Sequence, residues 1–427
     1  MIGGFRRIVG LVPTVTTVPA ALAGGYLGTL TLASRRHRPG SVTDRSVRFA
    51  FVVPAHNEAF GISDTIASLR AVDYPRHAFR VVVIADNCTD DTAAVARSAG
   101  AQVLERHDDM RRSKGFALSD VLPRLLDDPA LDALVIVDAD SVVSKNILAA
   151  AAGRIASGEH ALQVRHGVRN ADDSWRTELL AVAFACFHDV RSAAREEWKL
   201  SCGLRGNGMV FTREALTAAP HRASSLVEDL EHGFDLADVG IRVAYVGEAS
   251  VLAEMPNTET ASGSQRDRWE KGRAQFRPRA WSTLRRGIRS GDRVLVDLAA
   301  DALVPPLGTV AAMTVGSVGV AVVAKVVRRR WDSSAVMATI ALAGLSLHVA
   351  EGWRVSGTGR RGLAALTHVP GYVIWKLRRR GSRGSESTTG VDGDVWIRTT
   401  RNSESTDSPS GSGGEPPMKP SDEECAS

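Results

Sequence analysis

Asp138 and Asp140 stand one residue apart at the end of the apolar run Ala133–Val137. Carboxylates that close repel each other, and each raises the other's pKa unless a cation joins them. Both are hard oxygen donors, suited to Mg²⁺ or Mn²⁺ and poor for soft metals. Such ions keep several waters and commonly hold a substrate's phosphates. Two earlier apolar runs also end in polar groups, Pro54-Ala55-His56-Asn57-Glu58 and Asp86-Asn87. Ligands of open parallel sheets sit beyond the carboxyl ends of the strands. The three polar ends are therefore expected to meet at one crevice.

Other stretches offer groups to that crevice. The basic run Arg111–Gly115, with Lys114, lies between the second and third strands. It either meets a phosphate, closes over a base, or is a solvated loop. Gly206 and Gly208 precede another apolar run, where glycine permits a positive φ or a close backbone approach. Glu228, Asp229, Glu231 and Asp235 open an amphipathic helix. Acids there often only cap the helix and complement its dipole. A functional reading places one of them in the crevice as a general base. Gln265, Arg268 and Trp269 fall within one helical turn, with Gln265 and Arg268 on one face. Arg can balance a leaving diphosphate and Trp can stack on a sugar or a ring. The plain alternative is a surface helix with an anchoring Trp.

These residues need a scaffold. "VRFAFVV", "RVVVIAD", "ALVIV" and "HALQVRHG" read as strands, and "GMVF" as another. Residues 62–70 read as a helix capped by Ser63 or Asp64, and "DDTAAVARSAG" as a helix ending at Gly100. Continuous β-branched runs imply strands buried on both faces, and alternation with helices implies a doubly wound α/β domain.

Three uncharged stretches, Ile8–Ala33, Ala302–Ala324 and Ser333–Ala350, are long enough to cross a bilayer. The first is expected to be a retained anchor rather than a cleaved signal, although Ala21-Leu22-Ala23 resembles a peptidase site. Leu363–Trp375 is a weaker segment, either interfacial or a third C-terminal helix. The organisation expected is an anchor over 1–40, a catalytic domain over 47–275, a basic amphipathic linker over 276–300, membrane helices over 301–380 and a disordered tail over 381–427. In that tail Trp396 and Arg398 interrupt a polar run. Arginines flank the C-terminal pair on both outer sides, which puts that side in the cytoplasm, although the basic link Lys325–Arg330 argues the other way. The net charge of +5, clustered near these stretches, points to a membrane surface and not to nucleic acid. Cys88, Cys186, Cys202 and Cys425 form no C-x-x-C and bring no His cluster, so a zinc site or disulfide framework is not expected.

In this order the pieces "PAHNE", "ADNCTDDT", "SKGFAL", "DAD", "GNGMVF", "VEDLEHG" and "QRDRW", from Phe49 to Arg273, resemble the family 2 inverting glycosyltransferases. The last motif and the flanking apolar helices look most like the membrane-embedded branch with the cellulose, hyaluronan, chitin and poly-N-acetylglucosamine synthases. The resemblance implies a GT-A fold, a mainly parallel nucleotide-sugar-binding sheet with helices on both faces. It implies that Pro54, Glu58, Asp86 and Lys114 line the donor's nucleoside pocket. Asp138 and Asp140 would form the D-x-D, with Asp140 holding Mg²⁺ or Mn²⁺ on the donor diphosphate. Asp229 would be the catalytic base with Glu228 beside it, and Gln265, Arg268 and Trp269 would border acceptor and diphosphate. The partners implied are a nucleotide-sugar, by analogy a UDP-sugar, and a glycan or lipid-linked acceptor. The place implied is the cell membrane, crossed several times, with a cytoplasmic catalytic domain.

Val227 stands where the polymerising synthases often have Thr, and the C-terminal membrane portion is short. Single-sugar transfer and polysaccharide synthesis therefore both stay open, the latter with an export or channel subunit as partner. Two other classes also remain. "VIVDADSV" resembles the strand–loop of haloacid dehalogenase-type phosphotransferases, with Asp138 as nucleophile. A non-catalytic membrane scaffold would keep the same fold.

Overall fold

The computed structural model describes residues 2–38, 40, 44–222, 225, 227–255, 259–329, 332–369 and 371. Side chains are described from Thr14 in the first helix and from Lys271 in the helix that begins at Glu259. The tail over 381–427, with Trp396 and Arg398, lies outside the described residues, as do residues 370 and 372–375 of the Leu363–Trp375 stretch.

The chain opens with α1 (Ile2–Ser34). Then β1 (Phe49–Ala55), α2 (Ile62–Arg70), β2 (Phe79–Asp86), α3 (Thr92–Ser98), β3 (Gln102–Arg106), α4 (Lys114–Leu126) and β4 (Ala133–Ile136) alternate. Next come β5 (Ser141–Val143), α5 (Ile147–Ala156), β6 (Ala161–Val168), α6 (Trp175–Phe184), a π-helical turn over Ala185–Val190, and α7 (Arg191–Glu197). The unit closes with β7 (Met209–Thr212), α8 (Arg213–Ala218), α9 (Glu228–Asp238) and β8 (Val243–Ala253). The C-terminal helices are α10 (Glu259–Ser290), α11 (Arg293–Leu303), α12 (Leu307–Arg328), α13 (Ser333–Ser356) and α14 (Gly359–Leu366).

The strands form one sheet in the order β3-β2-β1-β4-β7-β6-β8-β5. From β3 to β4 the pairing is parallel, β7 runs antiparallel to both β4 and β6, and β6 pairs β8 in parallel. Successive side chains of a strand point to opposite faces. Phe49, Phe51 and Val53 therefore pack with Ile62, Ile66 and Leu69 of α2 and with α5 on one face. Ala50 and Val52 pack with Leu118 and Leu122 of α4 and Leu236 of α9 on the other. Each fully buried Leu, Ile or Phe contributes roughly 1.5–3 kcal/mol. This is the mainly parallel α/β sheet with helices on both faces expected from the sequence.

The antiparallel turn-back at β7 matters for the site. It pairs Ile136 with Met209, so the loop after β4 and the loop before β7 meet at one edge. The ends of β1 and β2 open on that same edge.

Local details differ from expectation. α2 is capped by Gly61, without a side-chain bond, while Ser63 and Asp64 fall inside its first turn. The stretch read from Ala302 is not one helix: Pro305 and Pro306 end α11, and the long helix begins at Leu307. Residues 276–290 continue α10, where Phe276 and Ala280 pack with Phe234 of α9 and with Leu295 and Leu298 of α11.

Among the described residues three helices are long and apolar enough to cross a membrane: Thr14–Ser34, Leu307–Val327 and Ser333–Ser356. α1 and α13 meet through glycine. A Cβ added at Gly24 would lie 2.6 Å from Ala341 Cα, and one at Gly28 3.1 Å from Gly344 Cα. Thr14 bonds Ser333 at one end of this pair, and Arg35 bonds Glu351 at the other, 2.9 Å away.

Candidate active site

Asp138 follows β4 and is half-buried. Its amide donates to Asn207 Oδ1 (3.2 Å), and Asn207 Nδ2 donates to Ser141 Oγ (2.8 Å). Asn207 is fully buried between Gly206 and Gly208, whose φ values are +78° and +72°. Gln163 Nε2 donates to the Asn207 carbonyl (2.7 Å), and Thr65 Oγ1 of α2 donates to the Ala139 carbonyl (2.8 Å). The Asp138–Asp140 loop is thus fastened from three sides by buried polar groups. Asn207→Ala is expected to lower stability by roughly 1–3 kcal/mol, seen as an earlier thermal transition.

Lys114, the first residue of α4, bridges the two loops. Its ammonium pairs with Asp138 Oδ1 and donates to the Gly206 carbonyl (2.5 Å). Burial opposes its charge, but Asp138, Glu228 and Asp229 together outweigh burial and hold its pKa above the ordinary lysine range. Glu228 and Asp229 arrive on the first turn of α9. A Cβ on Gly206 would lie 3.5 Å from Asp229 Oδ2, so this carboxylate borders the glycine loop directly. The Leu230 amide donates to Asp229 Oδ1 (2.7 Å).

The pair of acids holds two negative charges poorly. Burial, then the neighbouring Asp229 carboxylate, pushes Glu228 up to about 7, and burial also raises Asp229. A raised carboxyl pKa stabilises the fold fully below the unfolded value of about 4.5 and loses that contribution as pH rises through about 7. Glu228→Gln should therefore raise the thermal midpoint near about pH 8 and leave it unchanged near about pH 4. A midpoint at the higher pH that drops instead would contradict this placement of the pair.

The residues expected on the donor side sit at the same edge in a second group. Asp86, at the end of β2, is 1 % exposed, and Arg106 Nη1 donates to its Oδ1 (2.6 Å). Arg106 also donates from Nε to Asp120 (2.8 Å). His56 Nδ1 donates to the Asp86 carbonyl (2.8 Å). Pro54 lies in β1 opposite Ile84, and Thr92 Oγ1 accepts from the Glu58 amide (2.8 Å). Arg111 and Arg112 of the basic run pair with nearby acids, Arg111 with Asp108 and Asp120 and Arg112 with Asp109. Lys114 does not join Asp86; it belongs with Asp138. Gln265, Arg268 and Trp269 fall in α10, and their side chains lie outside the described residues.

Asp138 and Asp140 fit a hard divalent ion. They are carboxylates on one half-buried loop, and Ser141 Oγ donates to Asp140 Oδ1 (3.1 Å). No group of three or more His, Cys, Asp or Glu forms a metal cage among the described residues. Two protein carboxylates suit an ion completed by water and substrate oxygens.

Behind the acids lies a cluster that the motifs did not reveal. Asp301 of α11 is bonded by Arg191 Nη1 (3.0 Å) and Arg195 Nη2 (2.9 Å), with Arg205 Nη2 at 3.6 Å. Arg273 Nη2 donates to the Asp301 carbonyl (3.1 Å). Burial would raise the Asp301 pKa, but Arg195, Arg191, Arg205 and Arg273 hold it well below the usual carboxylate range. Arg195 Nε also bonds Asp297 (2.6 Å), which accepts from Tyr26 OH of α1 (2.8 Å). Arg205, next to Gly206, lowers the Asp229 pKa against the larger effect of burial. One chain of charges thus runs from α1 to the Gly206 loop. The signal in the sequence is "RVLVDLAADAL": two acids four apart on an otherwise apolar helix need buried partners.

The chain is 28% identical over 232 residues to a β-monoglucosyldiacylglycerol synthase of Synechocystis sp., covering 52% of this chain and 47% of that protein. It is 25% identical over 276 residues to the synthase of that name from Nostoc sp., covering 62% and 57%. The chain thus spans about half the length of the curated relatives it matches. Among solved structures it resembles a mannosyltransferase from Pyrobaculum calidifontis in complex with GDP-Man and Mn²⁺. The TM-score is 0.48 and the identity 17%, over 80% of this chain and 98% of that one. The family model described as "Glycosyltransferase like family 2" matches residues 47–272, more than half of the 427. That family leaves the haloacid dehalogenase reading without support, and the fourth-strand position of Asp138 already sits badly with it. With its D-x-D loop, glycine loop and paired acids on one edge of the sheet, this protein belongs to the family 2 glycosyltransferases.

Proposed function

We propose that the protein is a membrane-bound, metal-dependent inverting glycosyltransferase that moves a sugar from a nucleotide-sugar to a hydroxyl of a lipid acceptor. One observation carries this reading: Asp229 borders Gly206, whose carbonyl is bonded by the same Lys114 that pairs with Asp138. A base and a diphosphate-binding loop then share one small site. Asp229 takes the proton of the acceptor hydroxyl as its oxygen attacks the anomeric carbon. A single displacement inverts that carbon, so an α-linked donor gives a β-linked product. Glu228 keeps a second carboxyl beside the base, and Lys114 holds positive charge where the donor's diphosphate would leave. A Mg²⁺ or Mn²⁺ ion on Asp138 and Asp140 would neutralise charge building on that diphosphate. Asp86, Glu58 and Pro54 form the nucleoside side of the crevice, and Gln265, Arg268 and Trp269 of α10 are assigned to acceptor and diphosphate.

The lipid acceptor is supported by the relatives named as β-monoglucosyldiacylglycerol synthases and by the three apolar helices joined to the site. With three such helices among the described residues, single transfer is preferred to extrusion of a polymer. If the helices span, the Thr14–Ser333 contact sets their far ends together and leaves the catalytic unit on the other side. Arg35, Arg36, Arg38, Arg354, Arg360 and Arg361 then flank the catalytic side, which the positive-inside rule makes cytoplasmic.

The test is turnover by membranes containing the protein. Nucleotide-sugars are offered with diacylglycerol, in Mg²⁺ or Mn²⁺, and released nucleoside diphosphate is measured. Stripping divalent ions, or Asp140→Ala, is expected to abolish release. Full release without divalent ions would overturn the metal assignment, and consumption of no nucleotide-sugar would overturn the function.

A further inference from the structure

Away from the active site an open cleft of about 610 Å³ runs between α1 and the turn from α10 to α11. Its walls are mostly apolar: Tyr26, Trp198, Leu200, Ile288, Val296 and Ala300. Clefts of this size take small ligands. Tyr26 belongs to the spanning-length segment Thr14–Ser34, so one wall lies on a helix of membrane composition.

The acids at this cleft are already committed. Asp297 accepts from Arg195 and Tyr26, and Asp292 caps α11 by accepting from the Val294 (2.9 Å) and Leu295 (3.1 Å) amides. The cations are not. Arg293 lines the cleft and among the described residues makes one bond, to the Trp198 carbonyl (3.3 Å), while Arg285 and Arg289, on α10 beside the wall residue Ile288, are exposed without an ion pair among the described residues. Trp281 and Ile288 are exposed by 50% and 65%, seven residues apart on α10, with Arg285 between them. Exposed aromatic and aliphatic groups beside arginines on one helix face are the pattern of an interfacial helix. Ile288 belongs both to that face and to the wall of the cleft, so the face leads into it.

We propose that this cleft binds one anionic diacyl phospholipid, with an acyl chain along Tyr26, Trp198, Ile288 and Val296 and the phosphate on Arg289 and Arg293. The site rests on the reading of α1 as a membrane-spanning helix. The lipid is not the sugar acceptor. The buried Arg195–Asp301 layer separates the cleft from Arg205 and the Gly206 loop. Its role is to fasten α11, which supplies Asp297 and Asp301, against α1.

The full chain is reconstituted in phosphatidylcholine vesicles doped with a phosphatidylglycerol carrying a photoreactive acyl chain, or with the matching phosphatidylcholine reagent. Labelled peptides are mapped after irradiation. Label from the phosphatidylglycerol reagent is expected on the peptides holding Trp198 and Ile288–Val296, well above that from phosphatidylcholine. Arg289→Gln with Arg293→Gln should cut this label about tenfold. Val296→Trp should fill the cleft and remove it, while label on the exposed α12 face at Val315 and Val322 stays constant and reports an intact fold. Equal label from the two lipids, or label on α12 with none in the cleft, overturns the lipid site. Absence of label on both α12 and the cleft overturns the spanning reading beneath it.

Discussion

Replacing Asp229 with Asn is expected to cut the kcat of sugar transfer by about 10²–10⁴-fold, the usual contribution of a positioned general base. The substitution preserves shape, so the Leu230 amide keeps an oxygen acceptor and α9 keeps its start. What is lost is the ability to hold a proton. Donor affinity should change little, because the Asp138–Asn207 contact and the Lys114 bridge do not depend on that proton. Activity of the unaltered protein should fall as pH drops through the range, raised above the ordinary carboxylate one, where Asp229 gains a proton. An Asp229→Asn protein with unimpaired kcat would remove the base from the mechanism. A Glu228→Gln protein retaining substantial kcat alongside an inactive Asp229→Asn would assign the proton to Asp229 alone.

Asp301→Asn should have the largest effect on stability. Removing one partner of a buried ion pair costs about 3–5 kcal/mol, since the charge left behind is uncompensated. Here Arg191, Arg195 and Arg205 would face one another, with Asp297 on Arg195 as the ion pair left to the group among the described residues. The expected result is a much lower thermal midpoint in detergent, or loss of the folded protein from membranes. Asp292→Asn, which weakens only a helix cap, provides the contrast at about 1 kcal/mol or less. The pH sign also differs from that of Glu228. A depressed carboxyl pKa gives stability that is present above the unfolded value of about 3.8 and lost only as pH falls through the folded value. Asp301 should therefore contribute evenly across neutral pH. An Asp301→Asn protein as stable as the unaltered one would show that the arginines find other partners.

The strand ends were legible because chemistry and periodicity coincide there. A β-branched run that stops at Asp86 or Asp138 announces both a buried strand and its outlet. The glycine loop was legible only in part: Gly206 and Gly208 stood out, but Asn207 between them carries the bonds that hold Asp138. β3, β5 and β8 escaped notice for separate physical reasons. β3 is a half-exposed edge strand with Gln102, Glu105 and Arg106, and β5 has three residues. β8 is broken by Gly247 and Glu248 where its pairing with β6 shifts register after Val164. Asp86 read as a donor ligand in the sequence, yet its carboxylate is also the buried anchor of Arg106. No spacing rule ties residue 86 to residue 106, because only the parallel pairing of β2 with β3 brings them together. Asp301 was hidden likewise, since its partners come from three separate segments: α7, the loop before Gly206 and α10.

The missing side chains at Gly24, Gly28 and Gly344 have a reach beyond the helices that own them. Any methyl there would force α1 and α13 apart, and Tyr26 sits between the first two glycines on the same helix. Its hydroxyl would be drawn from Asp297, loosening the arginine layer that backs the Gly206 loop. A bulky residue at Gly24 should thus disturb sugar transfer from deep among the apolar helices, with no change to any group that touches a substrate.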